Sequence, residues 1–203
     1  RLAALAAGIP ETASAMTVDT QCCAGLDAVA VAANRINLGQ AEVVVAGGLE
    51  SYSRSPIRMR RPTERGLDPA PYDRPPFSPW PDRDPDMLES AASLAETRKI
   101  TRKRQENYAI RSHRLALEDP NAGDEIVTVA DLDADAFARH LTGAKCNRLP
   151  VLSGSTRYGL TSATTAVEAD AAAAVVMVSA NVRDRMAKGL RITVYGHDSI
   201  GGD

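Results

Sequence analysis

Aromatic side chains are scarce in this sequence. Phe, Trp and Tyr together make up 4% of its 203 residues, and there is a single Trp. Hydrophobic residues still account for 44%, so the core has to be built from Ala, Val, Leu and Ile, which suits closely packed helices and sheets. The sequence also has no apolar run of about 18 residues, which excludes a membrane-spanning helix.

Cysteine is rare, and neither sign of charge dominates. Cys22 and Cys23 are adjacent and Cys146 stands alone, so we predict neither a disulfide framework nor a zinc site. Reduced thiols lead us to expect a cytoplasmic protein. The 24 basic and 26 acidic residues give a net charge of −2. We therefore expect no general affinity for nucleic acid or for a membrane surface.

The first quarter of the chain alternates between strand and helix patterns. Residues 16–18 form a short β-prone run, and residues 26–38 have the apolar spacing of a buried helix that ends at Gly39. Residues 41–46 then predict a buried strand, which Gly47 closes. Strand, helix and strand with short connections predict a parallel βαβ unit within an α/β fold.

The composition changes after Ser55. Residues 56–85 are rich in Pro and Arg, and so long a loop in a compact protein is usually functional or an insertion. Further along, the patterns predict two helices within residues 87–118, with Thr101 capping the second. They also predict strands at 126–129, 171–178 and 191–195, a helix at 131–141, and a helix that starts after Ser179 and ends at Gly189.

Cys22 stands between a predicted strand and a predicted helix, in the segment D-T-Q-C-C-A-G-L of residues 19–26. The first amides of a helix have no partners within it, and with the helix dipole they favour a thiolate and lower the thiol pKa. They can also stabilise an oxyanion on an attached acyl group. Local chemistry leaves two interpretations open. Cys22 is a reactive nucleophile, or Cys22 and Cys23 are small buried hydrophobic residues.

Two motifs favour the nucleophile. Residues 17–28 resemble the nucleophile segment of the thiolase family, roughly V-N-x-x-C-x-S-G-L-x-A, whose Cys takes up the acyl group. Residues 46–53, A-G-G-L-E-S-Y-S, resemble the family's A-G-G-x-E-S-x-S motif at the expected separation. Ala24 replaces the usual Ser, and Cys23 falls at a variable position. Cys23 is the alternative nucleophile, but the register with Gly25 and Leu26 favours Cys22.

The resemblance implies a fold and a division into domains. The fold is α/β, a thiolase-like layered α/β/α arrangement with a mixed, mainly parallel sheet and an inserted loop domain, incomplete in this chain. Residues 1–55 form part of the N-terminal domain, and residues 56–165 form the loop domain that covers coenzyme A (CoA). Residues 166–190 return to the N-terminal domain, and residues 191–203 begin the C-terminal domain.

A CoA site is also implied by the resemblance. Met87 looks like the loop-domain Met that lies against the pantetheine arm. Residues 160–171 stand where the family reads V-T-A-G-N-A-S-G-I-N-D-G, which assigns Ser162, Ala163 and Ala166 to CoA binding. Ala166 replaces a Ser whose hydroxyl binds pantetheine. Either a nearby Thr replaces that contact or the stretch only packs.

The arginines of the insertion have two interpretations. The stretch from Arg58 to Arg74 either meets the CoA phosphates or is a solvated loop.

The threonines near Ala166 that could replace the missing pantetheine contact are Thr164 and Thr165.

By resemblance, the full enzyme is an acyl-CoA C-acyltransferase of fatty acid metabolism that forms an acyl-cysteine. It cleaves 3-oxoacyl-CoA or condenses two acyl-CoAs as a homodimer or homotetramer. CoA is a substrate, and no tightly bound cofactor or metal is implied. The family's catalytic His, in a G-H-P motif, and its second catalytic Cys belong to the C-terminal domain. Since His197 lacks that motif and Cys146 lacks the pattern of the second Cys, we expect this chain alone to be inactive.

Two alternatives remain open from the sequence. One is a catalytically inactive, thiolase-like subunit that binds CoA or serves assembly. The other is a ketosynthase-type condensing enzyme that acts on carrier-protein thioesters. Thiol reactivity separates the first alternative from an enzyme, and the choice of acyl donor separates the second.

Overall fold

A computed structural model describes residues 1–119, 125–186 and 191–200. Its contacts divide the chain into two compact units. Unit 1 comprises Arg1–Ser55 and Ala169–Asp203, and unit 2 comprises Pro56–Glu168. In chain order the helices are α1 (Leu2–Ala6), α2 (Ala24–Asn37), α3 (Met87–Thr97), α4 (Arg102–Glu118), α5 (Gly143–Cys146) and α6 (Ala180–Arg185). The strands are β1 (Val43–Ser51), β2 (Met59–Arg60), β3 (Ala70–Pro71) and β4 (Asp170–Val178).

Unit 1 is built around the pairing of β1 with β4. The two strands are antiparallel, with Val43 opposite Val178 and Ser51 opposite Asp170. The β-branched valines at one end of the β1–β4 ladder suit a pleated sheet. At the other end, Ser53 binds Asp170. Its backbone amide donates to Asp170 Oδ1 at 2.8 Å, and its hydroxyl donates to Asp170 Oδ2.

Helix α2 covers one face of this sheet and buries Ala46, which is 5% exposed. Its inward residues are small, and Ala30 and Ala32 are both buried. Strand β1 also has a residue without a side chain, Gly48, where α2 begins. A Cβ atom placed on Gly48 would lie 3.3 Å from the Cα atom of Gly25, so the backbones of β1 and α2 nearly touch there.

Unit 2 packs α3, α4 and α5 around a small core. The buried side chains include the apolar residues Ala92, Ala95, Leu160 and Ala163, together with Cys146. Two polar side chains, Glu106 and Thr161, are also almost completely buried. Buried polar groups are tolerated where they are hydrogen-bonded.

The Pro-rich and Arg-rich part of unit 2 forms a loop that is ordered by its own arginines. Strands β2 and β3 pair as a short hairpin. Beyond it, Arg74 Nη1 lies 3.1 Å from Asp84 Oδ1 and donates to both carboxylate oxygens. The guanidinium also lies over the ring of Phe77 at 4.6 Å. Arg74 therefore acts as an internal tie of this loop.

Most predicted helices and strands of the chain are confirmed. Helices α2, α3 and α4 and strand β4 lie within a few residues of their predicted bounds. Strand β1 is also present, but Gly47 does not close it: the strand continues to Ser51, and most of its residues are exposed rather than buried. Thr101 accepts from the Arg104 amide at 3.3 Å, as a capping residue should. Ser179 likewise caps α6. The predicted end of that helix, at Gly189, lies outside the described residues.

Other predictions are wrong. Residues 16–18, 126–128 and 191–195 form no strand, and among the described residues β1 pairs only with β4, in the antiparallel sense. Residues 131–141 form no helix. Three aspartates in this segment favour turns: Asp131 has φ 67°, and Asp135 accepts from the Phe137 amide at 2.8 Å. Within the described residues, no helix is long and apolar enough to cross a bilayer.

Candidate active site

Cys22 lies at the start of a helix, in the 3-10 turn Gln21–Cys23 that runs directly into α2. Gln21 has φ 59°, a left-handed conformation that is uncommon for a residue with a side chain. The Asp19 carboxylate accepts from the Gln21 amide at 3.1 Å and supports this turn. This left-handed residue directly precedes Cys22, and the 3-10 turn that contains Cys22 ends where α2 begins.

A second contact holds the same turn against α2. The Thr20 hydroxyl donates to Asp27 Oδ2, a carboxylate in the first turn of the helix. A negative charge at this end of a helix is favourable because it complements the helix dipole. The segment preceding the thiol is therefore connected to α2 by the Thr20–Asp27 hydrogen bond.

The glycines of the second motif explain how β1 supports this helix start. A Cβ atom on Gly47 would lie 2.2 Å from the carbonyl oxygen of Ala173, and one on Gly48 would meet Gly25 at 3.3 Å. Gly47 is therefore required by the ladder with β4, and Gly48 by the approach of α2. The two motifs therefore pack against each other where α2 begins, at Gly25 and Gly48.

The three thiols differ in their surroundings. Cys22 and Cys23 are exposed, whereas Cys146 is buried at 0% exposure. Burial raises the pKa of the Cys146 thiol, and the nearby Glu106 carboxylate raises it further. A thiol that stays protonated and shielded is a poor nucleophile, so only Cys22 and Cys23 are accessible for chemistry.

Met87 is the first residue of α3 and is 63% exposed. The Asp86 side chain caps this helix by accepting from the Leu88 amide at 2.7 Å. The cap fixes the backbone on both sides of Met87. Its side chain is thus presented from a defined position on unit 2.

Ser162, Ala163 and Ala166 lie on one tight turn, which we call the Thr161 turn (residues 160–166). Ser162 and Ala166 are exposed, and Ala163 is buried at 6% exposure. The turn is organised by Thr161, which is fully buried. Its hydroxyl accepts from the Ala163 amide at 3.3 Å, and its amide donates to Thr164 Oγ1 at 3.0 Å.

The hydroxyls of Thr164 and Thr165 are used within this turn. Both donate to the Thr161 carbonyl oxygen, at 3.2 Å and 3.0 Å. A hydroxyl has a single proton to donate but keeps acceptor lone pairs. Either threonine could therefore accept a hydrogen bond from a ligand, but neither has a free proton to replace the hydroxyl that Ala166 lacks.

The arginines of the insertion are unequal candidates for phosphate binding. Arg74 is occupied by Asp84, whose pKa is lowered chiefly by the Arg74 hydrogen bond. Arg58 Nη1 donates to the Asp73 carbonyl at 3.1 Å, and Arg60 lies 5.2 Å from the ring centre of Tyr72. In the described part of the chain neither Arg58 nor Arg60 forms an ion pair, so their charge is not neutralised.

Sequence reasoning missed one polar network. On α4, Arg102 Nε donates to Glu106 Oε1 at 2.7 Å, and these side chains are 17% and 2% exposed. Arg102 Nη2 donates to the carbonyls of Cys146 and Leu149, and Gln105 Nε2 to that of Tyr158. The only signal in the sequence is an i,i+4 Arg–Glu pair, which usually indicates an exposed helix face.

No histidine joins these groups. His113 lies on α4, His140 follows the irregular segment before α5, and His197 lies among the final described residues of unit 1. The described residues contain no group of three His, Cys, Asp or Glu side chains that could hold a metal ion. Cys22 belongs to unit 1, whereas Met87 and the Thr161 turn belong to unit 2.

Comparisons with known proteins identify the same family throughout. The family model "Thiolase, N-terminal domain" matches residues 1–181. A Staphylococcus aureus protein that carries the name acetyl-CoA C-acetyltransferase VraB is 37% identical over 127 residues, which is 61% of this chain and 33% of that protein.

Solved structures give the same result over a longer stretch. The Bacillus anthracis acetyl-CoA acetyltransferase is 30% identical with a TM-score of 0.72, covering 91% of this chain and 51% of that one. Human mitochondrial 3-ketoacyl-CoA thiolase, solved with CoA, has the same fold, with a TM-score of 0.72 at 24% identity and coverage of 89% and 49%. The chain thus spans about half the length of the solved enzymes and a third of the curated relative.

Proposed function

Because the chain belongs to the thiolase family, we propose that it carries the acyl-accepting part of an acyl-CoA C-acyltransferase, with Cys22 as the nucleophile. The observation that supports this most strongly is the position of Cys22. Cys22 is exposed in the 3-10 turn that leads directly into α2, and the two family motifs pack against each other at Gly25 and Gly48. The fold of the relatives is an α/β fold, as the sequence predicts.

The proposed step exchanges one thioester for another. The Cys22 thiol loses its proton to water, and its sulfur attacks the carbonyl carbon of an acyl-CoA. The tetrahedral oxyanion is stabilised by amides at the start of α2. It collapses with cleavage of the bond to the CoA sulfur, and CoA leaves as a thiolate that takes up a proton. No electrons are gained or lost, so the step needs no redox cofactor.

CoA is the proposed substrate, and its proposed contacts lie on unit 2. Met87, at the capped start of α3, offers an exposed thioether to the pantetheine arm, and the Thr161 turn offers Ser162, Ala163 and Ala166. Arg58 and Arg60 are stronger candidates for the phosphates than Arg74, because Arg74 is already paired with Asp84. Arginine is well suited to phosphate oxygens.

The complete reaction is either cleavage of a 3-oxoacyl-CoA or condensation of two acyl-CoAs. The names of the relatives, acetyl-CoA acetyltransferase and 3-ketoacyl-CoA thiolase, agree with both directions. The sequence contains no G-H-P motif, so we propose that this chain alone accepts an acyl group without completing turnover. Homo-oligomerisation, common in the family by resemblance, is part of the same proposal.

Alkylation with iodoacetamide tests the nucleophile and its substrate together. We expect Cys22 to be labelled near neutral pH much faster than Cys146, and saturating CoA to slow the labelling of Cys22 selectively. Equal, slow labelling of Cys22 and Cys23 would favour the binding-only subunit. Protection by an acyl carrier protein but not by CoA would favour the ketosynthase-type enzyme. Cys23→Ser is the matched control, because it removes the neighbouring exposed thiol and leaves Cys22.

A further inference from the structure

The side chain of Gln105 connects the start of α4 to the segment that leads into the Thr161 turn. Its Nε2 atom donates to the carbonyl oxygens of Ile100, at 3.1 Å, and Tyr158, at 2.9 Å. Ile100 lies just before the start of α4, and Tyr158 lies three residues before Thr161. Both protons of one amide therefore fasten two segments that are distant in sequence.

The two hydrogen bonds fix the orientation of the Gln105 amide and leave its oxygen atom without a partner in the described part of the chain. Gln105 Oε1 is buried and has no hydrogen-bond partner among the described residues. An unpaired buried acceptor is unfavourable, whereas the two hydrogen bonds donated by Nε2 are favourable. What an amide does and leucine cannot do is hold the Tyr158 carbonyl.

Arg102 makes the same connection one residue earlier. Its backbone amide donates to the Arg157 carbonyl at 2.8 Å, so α4 binds two consecutive carbonyls of this segment. The Arg102 guanidinium is itself fixed by Glu106 at 2.7 Å. Beyond Tyr158, Leu160 pairs with the segment at Leu152 and Ser153. Helix α4 is thus the rigid support from which the Thr161 turn extends.

We propose that Gln105 is a positioning residue for CoA binding, which acts by holding Tyr158 and thereby sets the conformation of the turn that carries Ser162 and Ala163. The proposal rests on the proposed function, because it assumes that this turn contacts CoA. Gln105 itself touches no reacting atom. Its effect reaches the ligand through the backbone of residues 158–163.

The test compares Gln105→Leu with Asn107→Leu, which removes an exposed amide from the same helix. Amide hydrogen exchange and CoA affinity by calorimetry are measured on both variants and on the unchanged chain. Because two hydrogen bonds are lost, we expect exchange in residues 158–165 and the Kd for CoA each to rise about tenfold in Gln105→Leu. Exchange in α3 should stay unchanged, the urea midpoint of Gln105→Leu should fall because two part-buried hydrogen bonds are lost, and Asn107→Leu should behave like the unchanged chain.

A second variant provides a pH-dependent rescue. Gln105→Glu keeps the shape but, when ionised, presents only acceptors to two carbonyls. The introduced carboxyl regains one donor on protonation, so its CoA affinity relative to Gln105→Leu should improve as the pH falls. A relative affinity that does not change with pH would contradict positioning by donation.

The outcomes separate the inference from the function on which it rests. If the unchanged chain binds no CoA, the proposed function fails, while the exchange data still decide whether Gln105 fixes the turn. If CoA binds and Gln105→Leu changes neither affinity nor local exchange, the inference is overturned and the function stands. Faster exchange throughout unit 2 would also overturn the inference, since it would show a general structural role.

Discussion

The close packing of α2 on β1 predicts a graded response to alanine at three glycines. The added Cβ atom would lie 4.0 Å from the Cα of Gly48 when it is placed on Gly25, which is an ordinary contact. On Gly48 it would lie 3.3 Å from the Cα of Gly25, so the helix start must shift slightly. On Gly47 it would lie 2.2 Å from the Ala173 carbonyl oxygen and 2.9 Å from the Cα of Ala174. That clash involves backbone, so the ladder itself must move.

These distances order the free energies of unfolding. Gly47→Ala should lose about 1–3 kcal/mol or more, the usual cost of overpacking, and Gly48→Ala about 1 kcal/mol, at the lower end of that range. Gly25→Ala lies in a helix, where alanine is favoured over glycine by up to about 1 kcal/mol, so it should be neutral or stabilising. Gly196→Ala is the control, because a Cβ atom there meets nothing within 4 Å.

Urea unfolding followed by circular dichroism measures the series. At a slope of about 2 kcal/mol per M, a loss of 2 kcal/mol lowers the midpoint by about 1 M. Because Gly48→Ala displaces the helix start, it should also change the rate at which iodoacetamide labels Cys22. If Gly47→Ala unfolded at the same midpoint as Gly196→Ala, the packing of the two motifs would be refuted.

Three further predictions follow from the polar groups. Arg102→Leu leaves the buried Glu106 carboxylate without its cation, so we expect the free energy of unfolding in urea to fall by about 3–5 kcal/mol. A decrease under about 1 kcal/mol would contradict a buried ion pair. The pKa of Asp170 is lowered from 3.8, chiefly by the hydrogen bond from the Ser53 hydroxyl. The stabilisation of the fold by this carboxylate is therefore present above pH 3.8 and is lost as the pH falls through the folded-state pKa. Asp170→Asn should flatten the acid limb of a pH titration of the urea midpoint, and an unchanged limb would exclude this pair. Cys146 should react with iodoacetamide only when urea opens unit 2, and rapid labelling in water would show that it is not buried.

The helix that follows Cys22 could be predicted because its signals are local. Cys22 falls between a turn and a helix whose apolar spacing is visible in the residues themselves, and α2 appears as predicted. Capping residues are equally local, and both Thr101 and Ser179 accept from the amides that their positions predict. The α/β class and the family are confirmed by the comparisons.

The sheet could not be predicted in the same way. Ser53 and Asp170, which close it, are separated by 117 positions, and no short-range pattern states that the pairing is antiparallel. The prediction of a parallel unit depended on residues 16–18, too short a run to show on its own whether it finds a partner. What fixes the β1–β4 register is the fit of Gly47 against Ala173 and Ala174, a contact that appears only in three dimensions.

Burial of polar residues was the other gap. Arg102, Gln105 and Glu106 resemble the exposed face of a charged helix, yet they point into unit 2 and hold the segment before the Thr161 turn. The identity of a residue does not reveal whether its partners are water or backbone carbonyls. The assignments of Met87, Ser162, Ala163 and Ala166 to CoA remain predictions.

Acyl transfer to a single sulfur tests the central claim most directly. The chain is incubated with acetyl-CoA and its peptides are mapped by mass spectrometry, beside Cys22→Ser and Cys23→Ser. We predict one acetyl group on Cys22 in the unchanged chain and in Cys23→Ser, and none in Cys22→Ser. Acetylation that persists on Cys23 when Cys22 is replaced, or no acetylation of a Cys22 that iodoacetamide labels rapidly, would contradict Cys22 as the acyl acceptor.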